Sequence, residues 1–247
     1  MRLDRLEEGL RSFPVDDACR CLDEVGAPPE FYDRVVEADW QADGDLLAHR
    51  HLPAGPDAVW MVLRCESEAS AVIVFDPTAV PSLAQTREYA RVLLDTSDAG
   101  AWVEARMHRQ RILSEPLTRE FEFLVPEAAL RAVVGDHGVM EDQLLRLAEL
   151  AGREDVTVRV VPAGTPGAAW SRGQFTLMEH DSYPTVAHLE LDTASLLLDR
   201  PDDIAVYRDR VHSIRAAALE GERSREFLYD LTDWYGKRRG MNVADAK

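Results

Sequence analysis

Two kinds of hydrophobic periodicity, in separate parts of the chain, constrain the fold most. In the middle, the stretch from Glu120 to Pro126 alternates, with Phe121, Phe123 and Val125 on one side, which is typical of a strand. Similar stretches lie at 155–162, 174–179 and 185–192. Before and after them the apolar spacing is helical. The sequence therefore predicts an α+β fold with a helical N-terminal part, a small central β-sheet of about four strands and C-terminal helices.

The predicted helices are delimited by this spacing and by residues that begin or end helices. Tyr89, Val92 and Leu93 form one apolar stripe, and Gly152 closes the most amphipathic segment. Ser224 is expected to cap the last helix. The stretch 72–81, which contains two prolines, is expected to be extended or a loop. The predicted helices cover residues 58–70, 84–94, 101–113, 127–134, 139–151, 202–219 and 224–235.

The balance of charge argues against several partners. There are 28 Lys and Arg against 45 Asp and Glu, a net charge of −17, whereas a protein that binds nucleic acid needs a cationic surface for the phosphates. The same acidity disfavours an anionic membrane. The N-terminus lacks the apolar run of a secretory signal, and an odd number of cysteines then indicates reduced thiols. We therefore expect a cytoplasmic protein with no direct nucleic-acid or membrane partner.

The sequence contains none of the common cofactor or catalytic motifs. GxGxxG, GxxxxGK[ST], GxSxG and HExxH are all missing from it. The Cys19-x-Cys21 pair has no partner pair at zinc-binding spacing, and His49-x-His51 lies in a loop-like region. We therefore expect no cofactor and no metal ion.

Several ordered motifs resemble those of one family. Residues 77–91 read PTAVPSLAQTREYAR and residues 106–113 read RMHRQRIL. Further matches are EAALR at 127–131, VTVRVVP at 156–162 and GQFTL at 173–177. Together, over about residues 60 to 235, they resemble the C-terminal effector domain of actinobacterial antitoxin-like regulators of the XRE helix-turn-helix type. The resemblance implies a sensing domain whose partner is a small molecule or a small cognate protein.

The N-terminal region departs from that family. Its members begin with a helix-turn-helix and then a short helix, which residues 18–27 resemble with only 17 residues before it. The first 60 residues carry 6 basic and 14 acidic residues, which opposes contact with phosphates. We therefore expect that the helix-turn-helix is lacking. The expected organisation is an acidic helical segment at 1–57, a ligand-binding effector domain at 58–236 and a flexible tail at 237–247.

Two residues of the second predicted helix are candidates for ligand binding. Gln85 and Tyr89 lie four residues apart, so that an amide and a hydroxyl can line the same cavity. The alternative is that Tyr89 belongs to the apolar core.

The third predicted helix carries the basic candidates. Arg106 and Arg109 share a helical face with Gln110 beside them, and paired guanidinium groups suit a carboxylate or a phosphate. The alternative is an internal network in which the two arginines pair with Glu104 or Glu127.

The central strands and a loop add further candidates. Trp170 lies in a glycine-rich loop that is able to cover a pocket, or it fills the core beneath that loop. His180 flanks a predicted turn. His188 and Glu190 lie two residues apart on a predicted strand and so face the same side, where they form either an acid–base pair or a structural one.

These candidates permit two functions of different classes. The first is a regulator-derived binding domain, in which a homodimer is compatible with apolar positions on the terminal helices. Its ligand would contact Gln85, Tyr89, Arg106, Arg109, Gln110, Trp170 and His180. The second is a regulator fold used as a cofactor-free enzyme for cyclisation, isomerisation or elimination in a specialised-metabolite pathway. Its catalytic residues would be Tyr89, Arg109, Glu127, His188 and Glu190.

Overall fold

A mixed β-sheet organises the protein. The structure is a computed structural model that describes residues 47–50, 60–94, 99–114, 119–165, 173–181, 184–191 and 194–240, with residues 19, 22–24, 26 and 31. The strands are β1 (Leu47–Arg50), β2 (Ala71–Phe75), β3 (Glu120–Pro126), β4 (Val156–Val161), β5 (Phe175–Glu179), β6 (Val186–Leu191) and β7 (Ala194–Leu198). Their order in the sheet is β1-β7-β6-β5-β2-β3-β4. The neighbours β2, β3 and β4 are parallel, and every other pair is antiparallel. Strand β2 therefore lies where the pairing changes direction.

Helices connect and cover these strands. They are α1 (Trp60–Glu68), α2 (Arg87–Leu93), α3 (Ala99–Arg109), α4 (Glu127–Arg131), α5 (His137–Leu150), α6 (Pro201–Ala217) and α7 (Gly221–Gly236), with short 3₁₀ turns at Ser82–Ala84 and Gln110–Leu113. Side chains cap two of them: Thr86 Oγ1 accepts from the Tyr89 N–H, and Asp136 Oδ1 accepts from the Val139 N–H. No helix in the described ranges has the length and hydropathy needed to cross a bilayer.

The two faces of the sheet bury separate apolar clusters, because successive residues of a strand point to opposite sides. Val72 and Val74 of β2 face one cluster, which includes side chains of α1, α2, α5 and α7. Ile73 and Phe75 face the other, where α6 contributes its buried residues. A strand covered on both sides needs apolar residues throughout, and this explains the continuous apolar sequence of β2.

The predicted α+β class is confirmed, but the prediction of about four strands is wrong, because the described sheet has seven. Strand β2 lies in the stretch expected to be extended or a loop, since a short apolar run has no periodicity by which to recognise it. Strands β1 and β7 were not expected either, and β7 (ASLLL) likewise does not alternate. Most of the predicted segment 1–57 and residues 241–247 of the predicted tail lie outside the described residues, although β1, from that first segment, pairs with β7.

The outer edge of β4 is covered by the connection between α6 and α7. The Leu219 N–H donates to the Val160 carbonyl (2.8 Å), and the Val160 N–H donates to Ser224 Oγ (3.0 Å). The prediction that Ser224 caps α7 is wrong, because the helix begins at Gly221 and Ser224 lies buried within it against β4. Both backbone groups of Val160 thus have partners at an edge that would otherwise leave them unpaired.

Replacing Ser224 tests the edge. We expect Ser224→Ala to lower the free energy of unfolding by about 1–3 kcal/mol, because the buried Val160 N–H loses its acceptor. Ser213→Ala is the matched control, since the exposed Ser213 hydroxyl donates to the Asp209 carbonyl in its own helix, and its expected effect is within about 0.5 kcal/mol. Urea denaturation measures both, and equal effects would contradict this description of the edge.

Candidate functional site

A cavity of about 430 Å³ opens at the carboxyl end of β2, on the face of the sheet that carries Val74. In open sheets, ligands commonly bind outside the carboxyl ends of strands where the strand order reverses, as it does at β2, with β3 and β4 on one side and β5 on the other. Strands β2, β5 and β6, the loop after β2, and helices α2 and α3 all contribute. The lining residues are Val74, Phe75, Asp76, Ala79, Pro81, Ser82, Gln85, Leu93, Leu94, Trp102, Arg106, Arg109, Gln174, Phe175, Thr176, His188 and Glu190.

The strand register sets the floor of the cavity. Val74 pairs with Thr176, and Thr176 pairs with His188, so these three side chains form a row across β2, β5 and β6. Glu190 lies two residues beyond His188 and therefore on the same face. The prediction that His188 and Glu190 share a strand face is confirmed.

The loop after β2 is held by Asp76. Its Oδ1 accepts from the backbone N–H groups of Thr78 (2.8 Å) and Ala79 (3.1 Å) and from the Thr78 hydroxyl (2.9 Å). This Asx turn directs the chain over the cavity towards the 3₁₀ turn at Ser82–Ala84. One carboxylate oxygen of Asp76 is thereby committed to structure.

Gln85 joins this loop to α3. Its Nε2 donates to the Val80 carbonyl (2.7 Å), and its Oε1 accepts from Nη1 of Arg106 (2.7 Å). Gln110 braces the same region by donating to the carbonyls of Ser82 and Gln85, each at 2.8 Å. Gln85 and Arg106 line the cavity as predicted, whereas Gln110 acts through the backbone beneath it.

Arg109 is bound by a residue that was not identified in the sequence. Its Nε donates to Oε2 of Glu66 (2.7 Å), and Nη2 contacts Oε1 of the same carboxylate. The Glu66 side chain is 0% exposed and that of Arg109 only 13%. Glu66 is recognisable in retrospect, because it lies one helical turn after Val62 on the buried face of α1, beside the buried Cys65, where a charge needs a partner.

The internal network expected for the arginines has other members. Glu104 pairs with Arg87, and Glu127 pairs with Arg131. The hypothesis that Arg106 or Arg109 pairs with either glutamate is therefore wrong. The Glu127–Arg131 pair lies within α4, and the Glu104–Arg87 pair joins the exposed surfaces of α3 and α2. Arg109 instead faces inward, towards α1.

The two arginines of α3 differ in their electrostatic environment. Burial lowers the pKa of Arg106 below its usual value, and the nearby charge of Glu190 opposes this. Burial acts in the same direction on Arg109, but the charge and hydrogen bonds of Glu66, aided by Glu190, raise the pKa of Arg109 overall. Arg109 is thus a compensated buried cation, whereas Arg106 has a neutral amide as its hydrogen-bond partner.

Other candidates lie away from the cavity lining. Tyr89 is fully buried, its hydroxyl accepts from the Val80 N–H (3.2 Å), and burial raises its pKa, so it belongs to the core. Glu127 accepts from the Ala163 N–H (2.8 Å), and this bond, followed by Arg131, lowers its pKa. The Nε2 atom of His180 lies 2.9 Å from the Cys65 carbonyl oxygen, and its Nδ1 atom lies 3.2 Å from that of Pro184. Trp170 lies outside the described residues.

The described ranges contain no candidate metal-binding site. No group of three or more His, Cys, Asp or Glu residues there is arranged to hold an ion.

The sequence from within α1 to within α7 matches a known protein family. The family described as "Domain of unknown function (DUF5753)" matches residues 61–230, which include every residue that lines the cavity. The chain belongs to the DUF5753 family. The family match does not test the relation to XRE-type regulators that the motifs indicate, and this relation stays a prediction.

Comparisons outside the family give the DUF5753 domain little context. No curated protein matches the sequence. Among solved structures, TrmBL2, an archaeal chromatin protein whose structure was described as showing a novel mode of DNA binding, is 11% identical with a TM-score of 0.35. The alignment covers 88% of this chain but only 66% of that protein. At this level of similarity it carries no argument about function.

The Glu66–Arg109 pair makes a prediction about stability. We expect Glu66→Gln to lower the free energy of unfolding by about 3–5 kcal/mol, because it leaves a buried guanidinium without a counter-charge. Glu104→Gln removes the more exposed pair with Arg87 and is expected to have a far smaller effect, because ion pairs in contact with water contribute little to stability. Chemical denaturation of both variants checks the difference; a small effect at Glu66 would show that the pair does not hold α1 against α3.

Proposed function

We propose that the DUF5753 domain of this protein is a binding module for a small molecule, and that Arg106 holds an anionic group of that ligand in the cavity. One observation carries the proposal. Arg106 lines the cavity and donates through Nη1 to the neutral Gln85, and within the described residues no carboxylate lies within 4.0 Å of its guanidinium. Its remaining N–H groups are available to a ligand.

The energetics of burial support an anionic ligand. A guanidinium that is largely removed from water without a counter-ion is unfavourable, and burial correspondingly lowers the pKa of Arg106. A carboxylate or phosphate that accepts two parallel N–H bonds would offset this cost. The neutral partner Gln85 fixes one edge of the guanidinium and leaves the rest oriented for such a contact.

The shape of the site favours a small molecule over a cognate protein as the ligand. A volume of about 430 Å³ is within the usual range for pockets that enclose metabolite-sized compounds. This agrees with the sensing role that the resemblance to regulators implies. A net charge of −17 argues against direct binding to nucleic acid.

The geometry supports binding better than the cofactor-free enzyme. Of the five catalytic candidates, Arg109, His188 and Glu190 line the cavity, whereas Tyr89 and Glu127 do not. Arg109 is already occupied by Glu66. Two of the five residues proposed for catalysis thus lie outside the cavity and a third is held by Glu66, so the full set is not assembled around one space.

Substitution of Arg106 tests the proposal. We expect some members of a panel of small carboxylates and phosphate esters to raise the melting temperature of the wild-type protein, because ligand binding stabilises the folded state. Arg106→Met is expected to weaken binding roughly tenfold or more, since it removes charge-assisted hydrogen bonds. Isothermal titration calorimetry gives the dissociation constants.

Arg111→Met is the matched control, because Arg111 is exposed, lies in the 3₁₀ turn just after α3 and does not line the cavity. It is expected to bind like the wild type. Melting temperatures without ligand separate loss of binding from loss of fold. The proposal fails if no panel member binds the wild-type protein, or if those that bind are unaffected by Arg106→Met.

A further inference from the structure

Glu190 places a second charge in the cavity, opposite in sign to that of Arg106. Glu190 lines the cavity from β6, and its backbone carbonyl accepts from Nε2 of Gln174 (3.2 Å). Within the described part of the chain, its carboxylate has neither an ion pair nor a hydrogen bond. It therefore differs from Asp76, whose carboxylate holds the loop after β2.

Glu190 and Arg106 interact electrostatically without forming an ion pair. The charge of Glu190 acts on both Arg106 and Arg109, so the three groups are close in electrostatic terms. No Arg106–Glu190 ion pair forms within 4.0 Å among the described residues, although both side chains line the same cavity. The guanidinium group of Arg106 and the carboxylate of Glu190 thus line the same cavity without direct contact between them.

The other charges in the cavity do not change this arrangement. Arg109 is neutralised by Glu66 beneath the lining, so it adds no net positive charge. Asp76 also lines the cavity and, like Glu190, acts on Arg106 by its negative charge. A ligand that is only an anion would satisfy Arg106 but would leave Glu190 and Asp76 facing it, which is unfavourable by like-charge repulsion.

Apolar side chains of the two helices complete the lining. Trp102 of α3 and Leu93 and Leu94 at the end of α2 border the same space as the charges. Indole and aliphatic groups offer a surface for an apolar portion of a ligand.

We infer that the ligand is a zwitterion of amino-acid or dipeptide size, with its carboxylate on Arg106, its ammonium group on Glu190 and an apolar side chain against Trp102. The inference rests on the proposed function and adds the second charge to it. It follows from two opposite charges, neither of which forms an ion pair among the described residues, that line one cavity with an apolar wall.

The experiment compares each zwitterion with analogues that lack one charge. Thermal shift with the free amino acids and a panel of dipeptides identifies the best binder, and calorimetry then measures its affinity beside those of the desamino acid and the decarboxylated amine. We expect loss of either charge to weaken binding roughly tenfold or more, as for other charge-assisted hydrogen bonds.

Glu190→Gln then assigns the ammonium contact. In this variant the zwitterion and its desamino analogue are expected to bind within about twofold of one another, because the interaction that distinguishes them is gone. Glu190→Asp keeps the charge and is expected to retain part of the preference. Glu120→Gln is the matched control, since Glu120 is exposed on β3 outside the cavity lining.

The outcomes separate this inference from the proposed function. It is overturned if no amino acid or dipeptide binds, if the desamino analogue binds as tightly as the zwitterion, or if Glu190→Gln leaves the preference intact. In each case, carboxylate binding that depends on Arg106 would still support the proposed function. Loss of that dependence as well would overturn both.

Discussion

The buried ion pair between Glu66 and Arg109 is the interaction on which the site depends. It joins α1, which leads into β2, to α3, which lies in the crossover from β2 to β3. Because both charges are removed from water, each requires the other in a defined geometry, and this fixes the rotation of α3. Arg106, three residues earlier, is then directed to the cavity. Of the two arginines on α3, Arg109 therefore has a structural role, whereas Arg106 remains available to a ligand.

Two further contacts, from segments next to β5 and β3, hold the end of α1 in place. His180, just after β5, contacts the carbonyl of Cys65, and the carbonyl of Glu66 accepts from Arg119 (3.3 Å) before β3. Backbone groups near the end of a helix lack partners within it, and here side chains from two neighbouring segments supply them. His180, considered in the sequence as a ligand-binding residue, therefore contributes to the position of Glu66.

The sequence predicted the parts of the fold that have a clear period. Strand β3 alternates and α5 is amphipathic between Asp136 and Gly152, so both were recognised with nearly correct bounds. Strand β2 is apolar on both faces and offers no such signal. The candidate site was partly predictable, since helical and strand spacing relate Arg106 to Arg109 and His188 to Glu190. Local spacing does not reveal contacts between distant segments, so Glu66 was missed and Tyr89 was not distinguished from a core residue.

The covered edge of β4 also bears on how copies of this protein can associate. A free edge strand allows two chains to merge their sheets through backbone hydrogen bonds. At Val160 that route is closed, because Leu219 and Ser224 of the same chain already use its carbonyl and N–H groups. A partner that approaches from this side meets the connection between α6 and α7. Recognition there depends on side chains, so it is open to sequence-specific selection in a way that strand addition is not.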